Sequence, residues 1–166
     1  MPPAATFMLA YLTLVAFAYY IAYVMHNRKV ILDRETGRPY LVRYHLVQLK
    51  CARVFLHQIL CPDRDRDEHN HPWPRARSLI LRGGYVEKII HLDGDVRVAD
   101  IDEHGPLDWS SNAFGPDRYH RILRVRPNTW TLFFAGRRSR DWGFLVNTNH
   151  VPWRMYLGYP ADYVDD

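Results

Sequence analysis

The residues His69-Asn70-His71-Pro72-Trp73 hold the most chemistry per unit length in this chain. Two imidazoles at i and i+2 on an extended segment fall on one face. Each can offer a ring nitrogen to one ion. His120, some fifty residues on, supplies a third donor if its strand faces the first. Three histidines around a divalent metal leave at least one vertex for water, oxygen or a chelating substrate. They also leave the ion's charge uncompensated. Such a centre favours an anionic substrate oxygen or a hydroxide, because the metal lowers the pKa of bound water. Fe, Zn, Mn, Ni and Cu all accept imidazole, so the donors do not choose the metal. The plain alternative is a pair of solvated loop histidines.

Several other residues bear on this centre. Glu87 is the carboxylate positioned to join it as an additional ligand, on a strand that can fold back after Gly83-Gly84. Glu68 comes second, since beside His69 on an extended segment it points to the opposite face. Trp73 can wall the pocket and exclude water, or simply pack. His57 lies in Phe55-Leu-His57-Gln-Ile59 among apolar neighbours, where it lines the cavity or sits as a hydrogen-bonded core histidine. Arg118 and Arg121 bracket His120, and Arg75 and Arg77 follow His71. An inward guanidinium among them can grip a carboxylate or phosphate in bidentate fashion. No catalytic residue is assigned. His26, His45, His91, His104 and His150 have no partner pattern. The contiguous His-Asn-His does not indicate an HNH nuclease, whose motif residues are dispersed through a ββα-metal unit.

The elements that must position these residues read as strands. Val30–Asp33 and Tyr40–Val47 flank a Gly-containing turn, and Val54–Leu60 is another extended run. Arg77–Arg82 and Tyr85–Leu92 flank Gly83-Gly84. Asp93-Gly94 reads as a hairpin turn before Asp95–Ile101. His120–Val125 and Thr129–Ala135 flank Pro127-Asn128, and Arg140–Val146 closes the series. After residue 27 no helical period stands out. Short strands at these intervals predict an all-β antiparallel sandwich or barrel. A small barrel carries inward side chains at alternate positions and can keep one end open as a cavity.

The same residues resemble the cupin superfamily. Its first motif has His-x-His, a Glu and then a Gly. Here His69, His71 and Gly83 match, while Arg75 or Ala76 stands at the Glu position. Phe114-Gly-Pro-Asp-Arg-Tyr-His120 is a loose version of the second motif. Pro62–Arg66, His69-x-His-Pro-Trp73, Ser78–Tyr85, His120-Arg-Ile122 and Asp141-Trp-Gly-Phe144 resemble a small cupin-like family of phage and bacterial genomes, in which Asp often replaces Asn70. The resemblance covers roughly residues 40–157. It implies a double-stranded β-helix (jelly-roll) barrel, a divalent metal on His69, His71 and His120, and a homodimer formed through barrel edges. It names no reaction.

The first 27 residues contain no Asp, Glu, Lys or Arg. Residues 4–25 make an uncharged run of about 33 Å if helical, enough to span a bilayer core. Tyr19, Tyr20 and Tyr23 crowd its end, where amphipathic rings favour the interface, and Arg28 and Lys29 follow at once. The expectation is a single-pass membrane anchor over residues 1–27 and a cytoplasmic barrel domain over 28–166, by the positive-inside rule. A cleaved signal peptide would want a basic start and a small-x-small site, which are lacking. The net charge of +4 is too diffuse to argue for nucleic acid. Cys51 and Cys61 lack metal-ligand spacing and read as reduced thiols. Arg137-Arg-Ser-Arg140 is a turn that can touch anionic headgroups if the anchor holds the domain close.

Two function classes follow. One is a metal-dependent enzyme of the Fe(II) oxygenase type or a related cupin enzyme, acting on a small anionic substrate. The other is a non-catalytic, membrane-tethered binding or assembly module. A metal-independent isomerase or epimerase is a third option, which an acid–base His–carboxylate pair in a dry pocket would favour.

Overall fold

Thr129, Thr131, Phe133 and Ala135 are buried along β9 (Thr129–Gly136), and the residues between them are half-exposed. That period of two is the signature of a strand with one face on a core. The computed structural model describes residues 3–93, 96–110, 118–160 and 162–163. Its helices are α1 (Pro3–His26) and α2 (Trp153–Leu157). The other strands are β1 (Arg28–Leu32), β2 (Pro39–Gln48), β3 (Ala52–Ile59), β4 (Ala76–Arg82), β5 (Tyr85–Asp93), β6 (Val96–His104), β7 (Trp109–Ser110), β8 (Arg118–Val125), β10 (Gly143–Val146) and β11 (Asn149–Pro152).

The strands form antiparallel sheets. One has six strands in the order β1-β2-β3-β9-β4-β7; the others are β6-β5-β8 and β10-β11. Residues 68–70 fill the slot between β8 and β10, because His69 bridges both His120 and Phe144. The smaller sheets thereby become one layer facing the six-stranded sheet. Between the layers, Leu41, Ile59 and Ile80 pack on Tyr85 and Ile122. A second cluster joins Phe55, Trp73, Ala76, Phe133 and Ala135. Burying each large apolar side chain contributes about 1.5–3 kcal/mol.

The chain crosses from β4 to β5 through Gly83 and Gly84, both at positive φ (75° and 144°). A Cβ on Gly84 would collide with the His104 carbonyl oxygen, so glycine is required there.

The all-β expectation and most strand positions agree with this architecture, with three corrections. Asp93, read as a turn residue, is the last paired residue of β5, opposite Val96, so the connection is residues 94–95, outside the described residues. The last expected strand begins at Gly143, because residues 137–142 run as loop, and it does not close the series, since β11 pairs with it. The short α2 was not expected. It follows Pro152 and is closed by Gly158 in the left-handed conformation (φ 71°), and five residues are too few to show a 3.6 period. Residues 114–117 of the loose second motif lie outside the described residues.

Helix α1 is apolar all round. Its stretch Thr6–His26 is long and apolar enough to cross a membrane by length and composition. Thr13 donates its hydroxyl to the Leu9 carbonyl (2.8 Å), so this polar group is satisfied within the helix.

Candidate metal centre

His69 is held from both sides by backbone. Its N–H donates to the His120 carbonyl (2.9 Å), and the His120 N–H donates back to the His69 carbonyl (2.8 Å). On the other flank, Asn70 N donates to Gly143 O (2.9 Å) and Leu145 N to Glu68 O (2.8 Å). Directly paired residues put their side chains on one face. His69 and His120 therefore meet across the ladder, and His71, two residues on, joins them.

The ring centroids stand 4.7 Å (His69–His120), 4.9 Å (His71–His120) and 5.3 Å (His69–His71) apart. One donor nitrogen from each lies within 4.8 Å of the others, and Nε2 of His71 is 2.8 Å from Nε2 of His120. The rings are walled by aromatic groups: Trp73 stacks on His71 (5.9 Å, 23°), Trp142 lies edge-on to His69, and Phe133 and Phe144 complete the enclosure.

The protonation state suits a metal. Burial, then repulsion from His120, lowers the His69 pKa to about 4. Burial, then His120 and His69, pushes His71 well below its usual value. Both are neutral at pH 7, which is the ligating form.

Glu87, 1% exposed, stands behind His120. Its Oε2 is 2.7 Å from His120 Nδ1, and its Oε1 is 2.8 Å from His104 Nε2. Burial raises its pKa, but the hydrogen bonds from His104 and His120 outweigh this and hold it at about 2. An ionised carboxylate only accepts, so His120 Nδ1 donates to it, and Nε2 is the nitrogen turned to the other histidines. Both oxygens of the carboxylate considered as an additional ligand are thus engaged by imidazoles. The three histidines fit one divalent ion by donor type and mutual distance, and Glu87 supplies the carboxylate that orients a metal-ligating histidine.

The other candidates fall as follows. Glu68 is on the opposite face, held by Lys88 Nζ (2.8 Å) and Arg97 Nη2 (2.7 Å). Trp73 is 5% exposed, and its Nε1 is buried with no hydrogen-bond partner among the described residues. His57 lies buried between Phe55 and Phe133 and accepts a hydrogen bond from Arg43 Nε (3.0 Å). Burial, then Arg43, holds it well below its usual pKa. Arg118 is half-buried and shares His120's face of β8 by alternation. Arg121, considered for substrate binding, alternates to the other face, where Nη1 donates to the carbonyls of Asp65 (3.1 Å) and Arg66 (2.7 Å). There it braces the loop before His69.

One contributor escaped the sequence. His104 holds Glu87, and its pKa is raised by that hydrogen bond. The signal was the hairpin register: pairing Asp93 with Val96 puts His104 opposite Tyr85, diagonal to Glu87. A turn at Asp93-Gly94 shifts this pairing by two residues and moves His104 out of reach. Asn70 accepts a hydrogen bond from Gly143 N (2.9 Å) through Oδ1, closing the ladder that holds His69.

No family model matches the chain, and no curated protein matches it in sequence. Several solved structures are similar. Streptomyces Pac13, described with uridine and as a nucleoside dehydratase, is 12% identical over 78% of this chain and 88% of its own, with a TM-score of 0.49. KdgF from Halomonas sp. is 12% identical over 67% of this chain and 96% of its own, with a TM-score of 0.41. Hydroxypropylphosphonic acid epoxidase from S. wedmorenis is 14% identical, with a TM-score of 0.41. The chain covers 67% of itself and only 56% of that enzyme's length in the match. These are distant likenesses, and no residue role passes from them to this chain.

Proposed function

We propose that this chain is a membrane-anchored, cupin-like protein whose barrel holds one divalent metal on His69, His71 and His120 and acts on a small anionic substrate. The observation that carries it is the convergence of three imidazoles, one oriented by a buried, ionised carboxylate. When bound, the ion would supply Lewis acidity and a bound water of lowered pKa. Glu87 keeps the His120 proton on Nδ1. Trp73, Phe133, Trp142 and Phe144 exclude bulk water, which strengthens electrostatic interactions inside. Arg118, on the histidines' face, is the cation placed to meet an anionic group. α1 tethers the domain to the cytoplasmic side, as Arg28 and Lys29 after the helix favour.

A second reading has its own support. The Glu87–His120 pair in a walled interior is also the arrangement of a metal-independent acid–base site, as an isomerase or epimerase would use. Metal analysis of the full-length chain in detergent separates the two. Near-stoichiometric metal, lost in His71→Ala and in His69→Ala/His71→Ala/His120→Ala, supports the metal centre. A folded, metal-free parent that also fails to take up Fe, Zn, Mn, Ni or Cu would sink it and leave the acid–base reading.

A further inference from the structure

We propose that the end of the barrel from which α1 emerges is a docking face for anionic lipid headgroups. This rests on the reading of α1 as a membrane segment. The helix leaves the domain beside the end of β2, where the Tyr20 hydroxyl donates to the Leu46 carbonyl (3.0 Å) and Val24 is buried to 6% exposure.

Three further stretches of chain meet at that end. Leu49 N donates to Ala52 O (2.9 Å) in the turn between β2 and β3, and Ala52 pairs with Gly136. Gly136 N donates to Arg75 O (3.0 Å), and Ser139 N to Pro72 O (3.1 Å). These contacts bring the stretches that carry Lys50, Arg53, Arg75, Arg77, Arg137 and Arg138 together at that end. Residues 46–55, 71–78 and 132–140 contain no Asp or Glu. Asp141 reaches this patch and is shared between Arg138 (3.4 Å) and Arg154 (2.7 Å). Leu49 and Val47 stand exposed beside Lys50.

The opposite end has another character. Asp33, Glu35, Asp63, Asp65 and Asp67 lie in its loops, and arginines pair with two of them: Arg64 with Asp33 (3.3 Å) and Arg66 with Asp67 (3.1 Å). Charge is therefore polarised along the barrel, with the acid-poor cationic end at the helix exit. Screening confines headgroup attraction to cations within about 10 Å of the surface at 0.1 M salt. An anchor alone fixes a height above the bilayer, whereas a cationic end face also fixes a tilt. Arg140 Nε donates to the His71 carbonyl (3.0 Å), which ties this face to the histidine centre.

The test uses the full-length chain with vesicles of phosphatidylcholine, either alone or containing about 30 mol% phosphatidylserine. Flotation reads the anchor, and trypsin cleavage after Lys50, Arg137 and Arg138 reads the docking, with Arg64 and Arg66 as far-end controls. The expected result is flotation with both vesicles. Cleavage at the three sites should be about tenfold slower on the anionic vesicles and should recover at about 0.5 M NaCl. Lys50→Glu/Arg137→Glu keeps only the Arg138 site of the three, and it should float equally while cleavage after Arg138 loses its protection. Equal cleavage on both vesicles, with flotation intact, would overturn the docking face and leave the anchor standing. Flotation on anionic vesicles alone would overturn the anchor and keep the docking. Flotation on neither overturns both.

Discussion

His120 Nδ1 lies 2.7 Å from Glu87 Oε2, and this contact decides which nitrogen of His120 faces His69 and His71. With Nδ1 held by the carboxylate, Nε2 is the nitrogen that meets His71 Nε2, at 2.8 Å. Glu87→Gln keeps the shape but weakens the orientation. The expected outcome is a loss of about 10- to 100-fold in metal affinity, measured by competition with a chelating dye. In the same variant the His104 pKa, read by NMR, should fall, because its raised value depends first on the Glu87 hydrogen bond. Unchanged affinity would remove Glu87 from the centre.

Asn70 locks β10 to the His69 segment through Gly143 N. Asn70→Ala leaves that buried N–H without its side-chain acceptor and should cost about 1–3 kcal/mol in denaturant unfolding. Asn70→Asp still offers an acceptor oxygen at the same place. It should retain more of the stability than the alanine variant, and the reverse order would contradict this role.

Gly84 sits at φ 144°, where a side chain would press on the His104 carbonyl. Gly84→Ala should destabilise by about 2–5 kcal/mol, combining backbone strain and overpacking. Because the collision is with His104, metal affinity should fall with stability. A stable variant of full affinity would show that β6 yields without disturbing Glu87.

His57, His69 and His71 are held neutral mainly by burial, His69 down to about 4. The unfolded chain protonates such groups near 6.5, so it binds more protons than the folded chain below that pH. Their contribution is full above about 6.5 and is lost as pH falls toward the folded values. His104, raised by Glu87, acts in the opposite sense, as one group against these three and the likewise lowered His45 and His150. Thermal stability of the chelator-treated protein should therefore drop between pH 7.5 and pH 5, by up to about 1.4 kcal/mol per pH unit for each group. His57→Gln should flatten that slope, and a flat profile in the parent would contradict the assignment.

Much of the fold and part of the centre follow from local rules. Alternating burial along strands such as β9 needs only a period of two. The shared face of His69 and His71 follows from their spacing on an extended segment, and the uncharged run before Arg28 gives a long apolar helix. What no local rule supplies is register between segments distant in sequence. A shift of two residues at the 94–95 connection separates Glu87 with His104 from Glu87 without it. An irregularity between Val86 and Glu87 sets Glu87 opposite Ile122 and diagonal to His120. The backbone of residues 68–70 has to slot between β8 and β10 before His69 can meet His120. Sequence alone determined which residues could ligate and on which face they stand. Only the tertiary structure decided which of them meet, because ladder hydrogen bonds between remote strands depend on loop geometry and packing that no single segment contains.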